Sequence, residues 1–217
     1  MVNPFISAII LAAGKSTRFP NGKLLQRIIV EGNEKYLLSY LVEKFIKIND
    51  ISETIVVVGY GFKEIVEAIG SPEVKFVYNP MYRCGMSYSV KAGVRSVYKY
   101  SDIVVIHPGD VPFIKQSTIE MLINKAKNLY AKEQNYIIIP RYGSKGGHPL
   151  LISRDLLQGV LEITEEERGL KGFLRKYSSY KIYVETTDLG ILYDIDTPDD
   201  LARAEKLFNI KWIRNSF

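Results

Sequence analysis

Phe5-Ile6-Ser7-Ala8-Ile9-Ile10-Leu11, followed at once by Ala12-Ala13-Gly14-Lys15-Ser16-Thr17-Arg18, decides how this chain is read. The first seven residues are almost continuously apolar and rich in Ile, the pattern of a strand buried on both faces. The run is too short to span a bilayer, which takes about 20 residues. It also lacks the basic leader of a signal peptide. The small residues after it let backbone come close to a ligand, and Gly14 supplies the turn. Backbone N–H groups in such a loop can hold phosphates. Lys15, Arg18 and then Lys23 place positive charge within a short reach. The alternative is a plain strand-to-loop turn with solvated lysines.

Working outward, similar runs recur at Glu53–Val58, Val74–Tyr78, Ile103–His107 and Tyr136–Pro140. Amphipathic segments lie between them. In Tyr36–Ile48, the residues Leu37, Leu38, Leu41, Val42, Phe45 and Ile48 share one helical face. Phe62–Ile69, Gly85–Tyr98 and Ser117–Lys132 also read as helices, with Ser117 or Thr118 expected to cap the last. Strands alternating with helices predict an α/β fold around a mostly parallel sheet. Beyond residue 140 the rhythm changes. Tyr142–Gly147 reads as a turn-rich loop and Pro149–Ile152 as a short apolar run. Glu165–Arg168 reads as a solvated charged face, and Tyr180–Val184 as a half-exposed strand. Pro198–Phe208 reads as a closing helix capped by Thr197, with Pro198 at its first position. Neither a repeat nor a linker interrupts the chain, so a single domain over residues 1–217 is expected.

Composition narrows the function. With 47% hydrophobic and 24% charged residues the chain is neither disordered nor of low complexity. One cysteine, Cys84, excludes a disulfide framework and any CxxC site. Two histidines, His107 and His148, argue against a zinc enzyme. The net charge of +5 is spread along the chain. No basic stripe with interleaved aromatics marks a nucleic-acid surface, and a small anionic substrate accounts for the balance equally well. A cytoplasmic protein is expected.

Ligands of open α/β sheets bind at the carboxyl ends of the strands. Gly14-Lys15-Ser16 is not a P-loop, because Ile9 stands where that motif needs glycine. Gly59-Tyr60-Gly61 is not a dinucleotide fingerprint, because Glu64 stands where a small residue is needed, and it reads as a tight turn. Pro108-Gly109-Asp110-Val111-Pro112 sets an acid at a strand end, fit either for a divalent metal beside substrate phosphates or for a turn. In Asp194-Ile195-Asp196-Thr197-Pro198, acids two apart on extended chain point the same way. Both face a site, or one caps the following helix. In Gly146-Gly147-His148-Pro149 the glycines suggest backbone close to a ligand or a mobile flap. His148 then touches a phosphate or base, or is structural. His107 reads as core or edge, and Cys84 is not read as a nucleophile.

These residues carry a resemblance. Leu11-Ala12-Ala13-Gly14-x-Ser16-x-Arg18-Phe19 followed by Lys23-Leu24-Leu25 resembles the signature of the MobA-like nucleotidyltransferases. Four more blocks match in order: Asn79-Pro80-x-Tyr82-x-x-Gly85-Met86-x-x-Ser89-Val90-x-x-Gly93, Gly109-Asp110-x-Pro112, Gly147-His148-Pro149 and Asp194-x-Asp196-Thr197-Pro198-x-Asp200-Leu201. Leu-Ala-Ala-Gly in the first block resembles the molybdenum cofactor cytidylyltransferase branch, where the guanylyltransferases typically have Leu-Ala-Gly-Gly. Phe19-Pro20-Asn21-Gly22 departs from the family's usual Met-Gly and reshapes the phosphate loop.

The resemblance implies a Rossmann-like three-layer α/β/α fold of the nucleotide-diphospho-sugar transferase type. It implies Mg²⁺-dependent transfer of CMP from CTP to the phosphate of molybdopterin cofactor, with release of pyrophosphate and a molybdoenzyme as a possible partner. The acceptor phosphate, with a second pKa near ~6, is its own nucleophile, which suits a chain short of Ser, Cys or His bases. In this reading Leu11, Ala12, Ala13 and Gly14 seat base and phosphates. Arg18 and Lys23 neutralise the triphosphate and the leaving pyrophosphate. Asp110, with Asp196 and Asp194, holds Mg²⁺. Asn79, Ser89 and Gly109 contact the nucleotide, and the backbone at Gly147 and His148 faces the acceptor. The Ala13 methyl selects the base only weakly, at about 1–3 kcal/mol. The alternatives are GTP as donor, a sugar phosphate as acceptor, a glycosyltransferase using Asp194-Ile195-Asp196, or a non-catalytic cofactor-delivery protein.

Overall fold

β1 (Ile6–Ala12) turns Ile6, Ala8, Ile10 and Ala12 to one face of a sheet and Ile9 to the other, and both faces are packed. A strand of this kind has to sit inside a layered fold. In the computed structural model, which describes residues 3–16, 18–19 and 22–214, it does. β1 pairs in parallel with β4 (Glu53–Val58) and β6 (Ile103–Pro108), and β5 (Val74–Tyr78) adds in parallel to β4. On the other side of β6 come β9 (Leu150–Ser153), β7 (Ile137–Tyr142) and β10 (Lys181–Glu185), giving the order β10-β7-β9-β6-β1-β4-β5. β9 runs antiparallel to both neighbours, while β7 and β10 are parallel. β8 (Lys145–Gly146) folds back on β7.

Helices cover both faces. α1 (Leu37–Ile46), α2 (Phe62–Ile69) and α4 (Gln116–Tyr130) pack on the face of Ile6 and Ile10 through Leu41, Phe45, Ile65, Ile119 and Leu122. α3 (Met86–Val97), α5 (Leu157–Leu161) and α6 (Leu170–Lys176) pack on the face of Ile9 through Val90, Val94, Val160 and Phe173. α3 lies close enough to β1 that a Cβ on Gly93 would stand 2.6 Å from Ile9 Cγ2. The expected three-layer α/β/α sandwich with a mostly parallel sheet is therefore what the chain forms.

A second, three-stranded antiparallel sheet was not foreseen: β2 (Arg27–Val30), β3 (Asn33–Tyr36) and β11 (Lys211–Trp212). Glu31 and Gly32 both take positive φ, 51° and 79°, the backbone a two-residue hairpin turn requires. Ile28 and Leu37 join Phe113, Ile195 and α7 (Pro198–Leu207) in a separate core. α7 starts as expected. Thr197 Oγ1 accepts from Asp200 N, Asp200 Oδ2 accepts from Thr197 N, and Pro198 opens the helix.

The cap of α4 is a correction. Its N-cap is Lys115, not Ser117 or Thr118. Asp188 takes the capping role from 70 residues away, accepting from Thr118 Oγ1 and Lys115 N, each at 2.8 Å. Tyr142–Gly147 is a hairpin onto β8 rather than an irregular loop. No helix among the described residues is long and apolar enough to cross a membrane.

Candidate active site

Three strand ends and the segment before α7 converge at the carboxyl edge of the main sheet. After β1, Ala12 and Ala13 are buried, and Gly14 stands with nothing within 4 Å of its Cβ position. Together with Leu11, Ser16, Arg18, Lys23, Tyr82, Arg83, Met86 and Ser89 they line a cavity of about 420 Å³. A second cavity of about 860 Å³ opens beside it. Its floor is apolar (Ile106, Ile139, Leu150, Leu174, Ile191), and its walls carry Gly147, His148 and Asp194. The two share Leu11, Met86, Pro108, Asp110 and Asp196.

At that shared boundary the charges meet. Lys23 Nζ donates to Asp110 Oδ2 at 2.7 Å and to Asp196 Oδ1 at 3.1 Å. Arg18 Nη2 donates to the same Asp196 oxygen at 3.1 Å. Burial alone would lower the pKa of Lys23, but the charge and hydrogen bonds of Asp110, and then those of Asp196, outweigh it and leave it raised. The ammonium stays charged across the physiological range.

The scaffold explains why the two acids sit together. The chain after β6 turns at Gly109, whose N donates to Leu11 O at 2.9 Å. A Cβ there would stand 2.9 Å from that oxygen, so only glycine lets Asp110 pass so near β1. Ile195 N donates to Asp110 O at 2.8 Å, lacing the two acidic segments together. Asp200 Oδ2 accepts from Asp196 N at 3.0 Å, so the cap of α7 also holds Asp196.

A buried imidazole and a half-buried lysine fasten the Asp110 loop from inside. His107 Nε2 donates to Val111 O at 2.8 Å, and Lys44 Nζ donates to Pro112 O and Ile114 O, both at 2.8 Å. Burial pushes the Lys44 pKa down to about 7, against the opposing charge of Asp188. Burial, then the neighbouring His148, pushes His107 down to about 3 despite its bond to Val111. His107 is thus core, one of the two positions offered for it. His148 stands edge-on to it at 6.3 Å between ring centroids. Its pKa is lowered by burial, against Asp110 and Asp194, and its Nδ1 is buried without a partner.

The residues singled out from sequence divide accordingly. Leu11, Ala12, Ala13, Gly14, Arg18, Lys23, Ser89, Asp110 and Asp196 line the smaller cavity, and Gly147, His148 and Asp194 line the larger. Asn79 does not line either. It is 2% exposed, donates from Nδ2 to Ser89 Oγ at 3.0 Å and accepts from Met81 N, so it positions Ser89 and the start of α3. Gly109 also works through the backbone rather than as a contact. The backbone at Gly147 and His148 is spent within the fold, Gly147 N on Pro140 O and His148 N on Ile191 O. Gly147 is glycine because a Cβ would run into Ile191. Thr17, Pro20 and Asn21 of the first block lie outside the described residues.

Sequence reasoning passed over Glu165–Arg168 as a solvated face. Glu165 and Arg168 are exposed, yet both line the larger cavity, and Glu165 Oε1 accepts from Ser87 N at 2.6 Å. A single exposed turn gives no hint that it leans on a helix start 78 residues earlier. Gly169, whose Cβ position stands 2.8 Å from Ser87 Oγ, was the one available signal of close packing there. Tyr82, Arg83 and Met86 were also missed as lining residues.

Comparison with known proteins fits this geometry. The family model described as MobA-like NTP transferase domain matches residues 8–181. The chain is 26% identical over 208 residues to the molybdenum cofactor cytidylyltransferase of Escherichia coli (strain K12), covering 94% of this chain and 97% of that one. It is 33% identical over 125 residues to a 2-C-methyl-D-erythritol 4-phosphate cytidylyltransferase of Clostridium acetobutylicum, covering 55% of this chain and 52% of that one. Its fold is similar to a nucleotidyl transferase from Methanothermobacter thermautotroptrophicus, with a TM-score of 0.77 at 23% identity, covering 94% and 98% of the two chains.

Proposed function

The chain belongs to the MobA-like NTP transferase family and is a nucleotidyltransferase, and from that premise we propose that it transfers CMP from CTP to the phosphate of molybdopterin cofactor, releasing pyrophosphate. One observation carries the reading most directly: two cavities meet at a pair of carboxylates bridged by a lysine. The smaller is lined by the small-residue loop and by Arg18 and Lys23, as a triphosphate requires. The larger has the apolar floor that an acceptor with a substantial organic body requires. The two reacting phosphorus centres would be brought together beside Asp110 and Asp196.

The donor set fits Mg²⁺. Two carboxylates already hold a cation, the Lys23 ammonium, between them. Among the described residues no group of three or more His, Cys, Asp or Glu side chains is placed to hold a metal, here or elsewhere, so substrate phosphates would have to complete the coordination. Mg²⁺ is commonly held by one or two carboxylates together with substrate phosphates. Asp110 and Asp196 would hold it, and exposed Asp194 lies on the acceptor side. When bound, the metal supplies charge neutralisation at the transferring phosphoryl group. The chain's own part is to place the acceptor phosphate in line with the α-phosphorus and to meet the charge on departing pyrophosphate with Arg18 and Lys23. No protein base is needed. The one cysteine, Cys84, is exposed and free, which suits a reducing compartment, and the cytoplasm is our reading of where the enzyme works.

The test is calorimetric titration with CTP, GTP, ATP and UTP, each with Mg²⁺, on the wild type and Asp110→Ala. Selective CTP binding, CTP-dependent pyrophosphate release with molybdopterin, and loss of that release in Asp110→Ala are expected. Selective GTP binding would move the donor to guanosine. No binding of any triphosphate, with or without acceptor, would favour the delivery-protein alternative.

A further inference from the structure

Three cations, Arg168, Lys171 and Lys181, border the larger cavity. They come from separate places: the turn before α6, the first turn of α6, and the edge strand β10. Nearby, Lys176 on the same helix pairs with Glu162, and Arg141 on the neighbouring strand pairs with Glu185. None of these three has an ion pair or a side-chain hydrogen bond among the described residues. Glu165, Glu166 and Glu167 directly precede Arg168, yet among the described residues none forms an ion pair with it, and Glu165 instead accepts from Ser87 N.

The backbone at Arg168 is a second, independent observation. Its φ is +68°, in the left-handed region, and Gly169 follows at +55°. Glycine takes that conformation without cost, and an L-residue does not. Strain of this kind persists where the surrounding structure over-determines it, and it clusters at ligand clamps. Arg168 N is held by Glu165 O and Gly169 N by Thr164 O, so the turn is fixed. A fold seeking only stability would place glycine at 168, yet this one keeps a guanidinium on the cavity wall.

We propose that Arg168, with Lys171 and Lys181, binds a second anionic group of the acceptor, remote from the phosphate that attacks CTP. This rests on the reading that the larger cavity takes the acceptor. The substrate class it selects is a phosphate monoester whose body is apolar enough for the floor of Ile106, Ile139 and Leu174 and which carries a further negative charge. Small neutral polyol phosphates lack that charge and are discriminated against. Arg168 is then a specificity-determining residue, acting on acceptor affinity and not on the phosphoryl step.

The test uses probes that do not depend on the natural acceptor. ω-Carboxyalkyl phosphates of increasing chain length, and their methyl esters, are titrated calorimetrically into the full chain with Mg²⁺ and a non-hydrolysable CTP analogue. At the matching length the carboxylate should bind at least tenfold more tightly than its ester. In Arg168→Gly that preference should collapse while the Tm does not fall, because glycine accepts the backbone conformation freely. Lys181→Gln, on a regular strand, should reduce it in part and guards against a folding artefact in the turn. Equal binding of acid and ester at every length, or an undiminished preference in both variants, would overturn the proposal. Absence of CTP transfer to molybdopterin with the preference intact would instead remove the acceptor named above and leave this site standing.

Discussion

Lys23 is the residue on which the centre balances. Among the described residues it is the one side chain bonded to both acids, and its own side chain is only 16% exposed. Lys23→Ala is expected to lower kcat for nucleotidyl transfer by tenfold or more, about 1.4 kcal/mol of transition-state stabilisation per factor of ten. Steady-state pyrophosphate release checks this, and a change confined to KM would mean the lysine only binds substrate. Lys23→Arg should not restore full turnover, since a planar fork does not replace a point charge between two carboxylates. At this scale the sequence pointed to most of the residues that line the smaller cavity, because charged residues at strand ends have few other reasons to be there. Asn79 shows where that logic stops. A buried amide satisfied by Ser89 and Met81 looks, in sequence, the same as an amide waiting for a nucleotide.

Among the elements, α7 does the least expected work. Its capping box stabilises the helix, and the same Asp200 carboxylate also receives Asp196 N. Thr197→Ala should cost about 1 kcal/mol of stability, read as a lower Tm. It should also reduce turnover, because the acid it steadies loses its seat. Asp199→Asn, in the same turn but exposed, should leave turnover unchanged. Strands buried on both faces were legible because nothing else puts so many Ile and Val in a row. The direction of β9 was not, since an apolar run pairs equally well either way, and only the Tyr142–Lys145 hairpin sets it antiparallel. The small sheet escaped notice because two of its strands have only four residues and the third only two, with one face open to water. The Asp188 cap of α4 is a contact across 70 residues that no local pattern contains.

For the molecule as a whole, the buried imidazole pair ties stability to pH. His107 has a folded pKa of about 3 against an ordinary 6.5, and His148 is lowered too. Above 6.5 both the folded and unfolded chains hold the ring neutral. As pH falls from there toward 3, only the unfolded chain takes the proton, so stability drops by about 1.4 kcal/mol per pH unit for such a group. His107→Gln should therefore be less stable than wild type at pH 7 and close that gap by about 2 kcal/mol at pH 5, as urea unfolding at the two pH values would measure. An α/β fold around a mostly parallel sheet could be read from the rhythm of runs and helices up to residue 140, and the family resemblance implied its three layers. The larger cavity could not, because much of its wall is assembled from short pieces after the rhythm breaks. That division has a kinetic side. Lys23 reaches Asp196 across 173 residues, so the second acid joins the centre only through a contact between distant parts of the chain. Contacts of such separation are entropically the last to form. The parallel half can collapse around β1 while the chain is still catalytically silent. Until the final segment docks, Asp110 stands without Asp196 beside it, and the centre is incomplete.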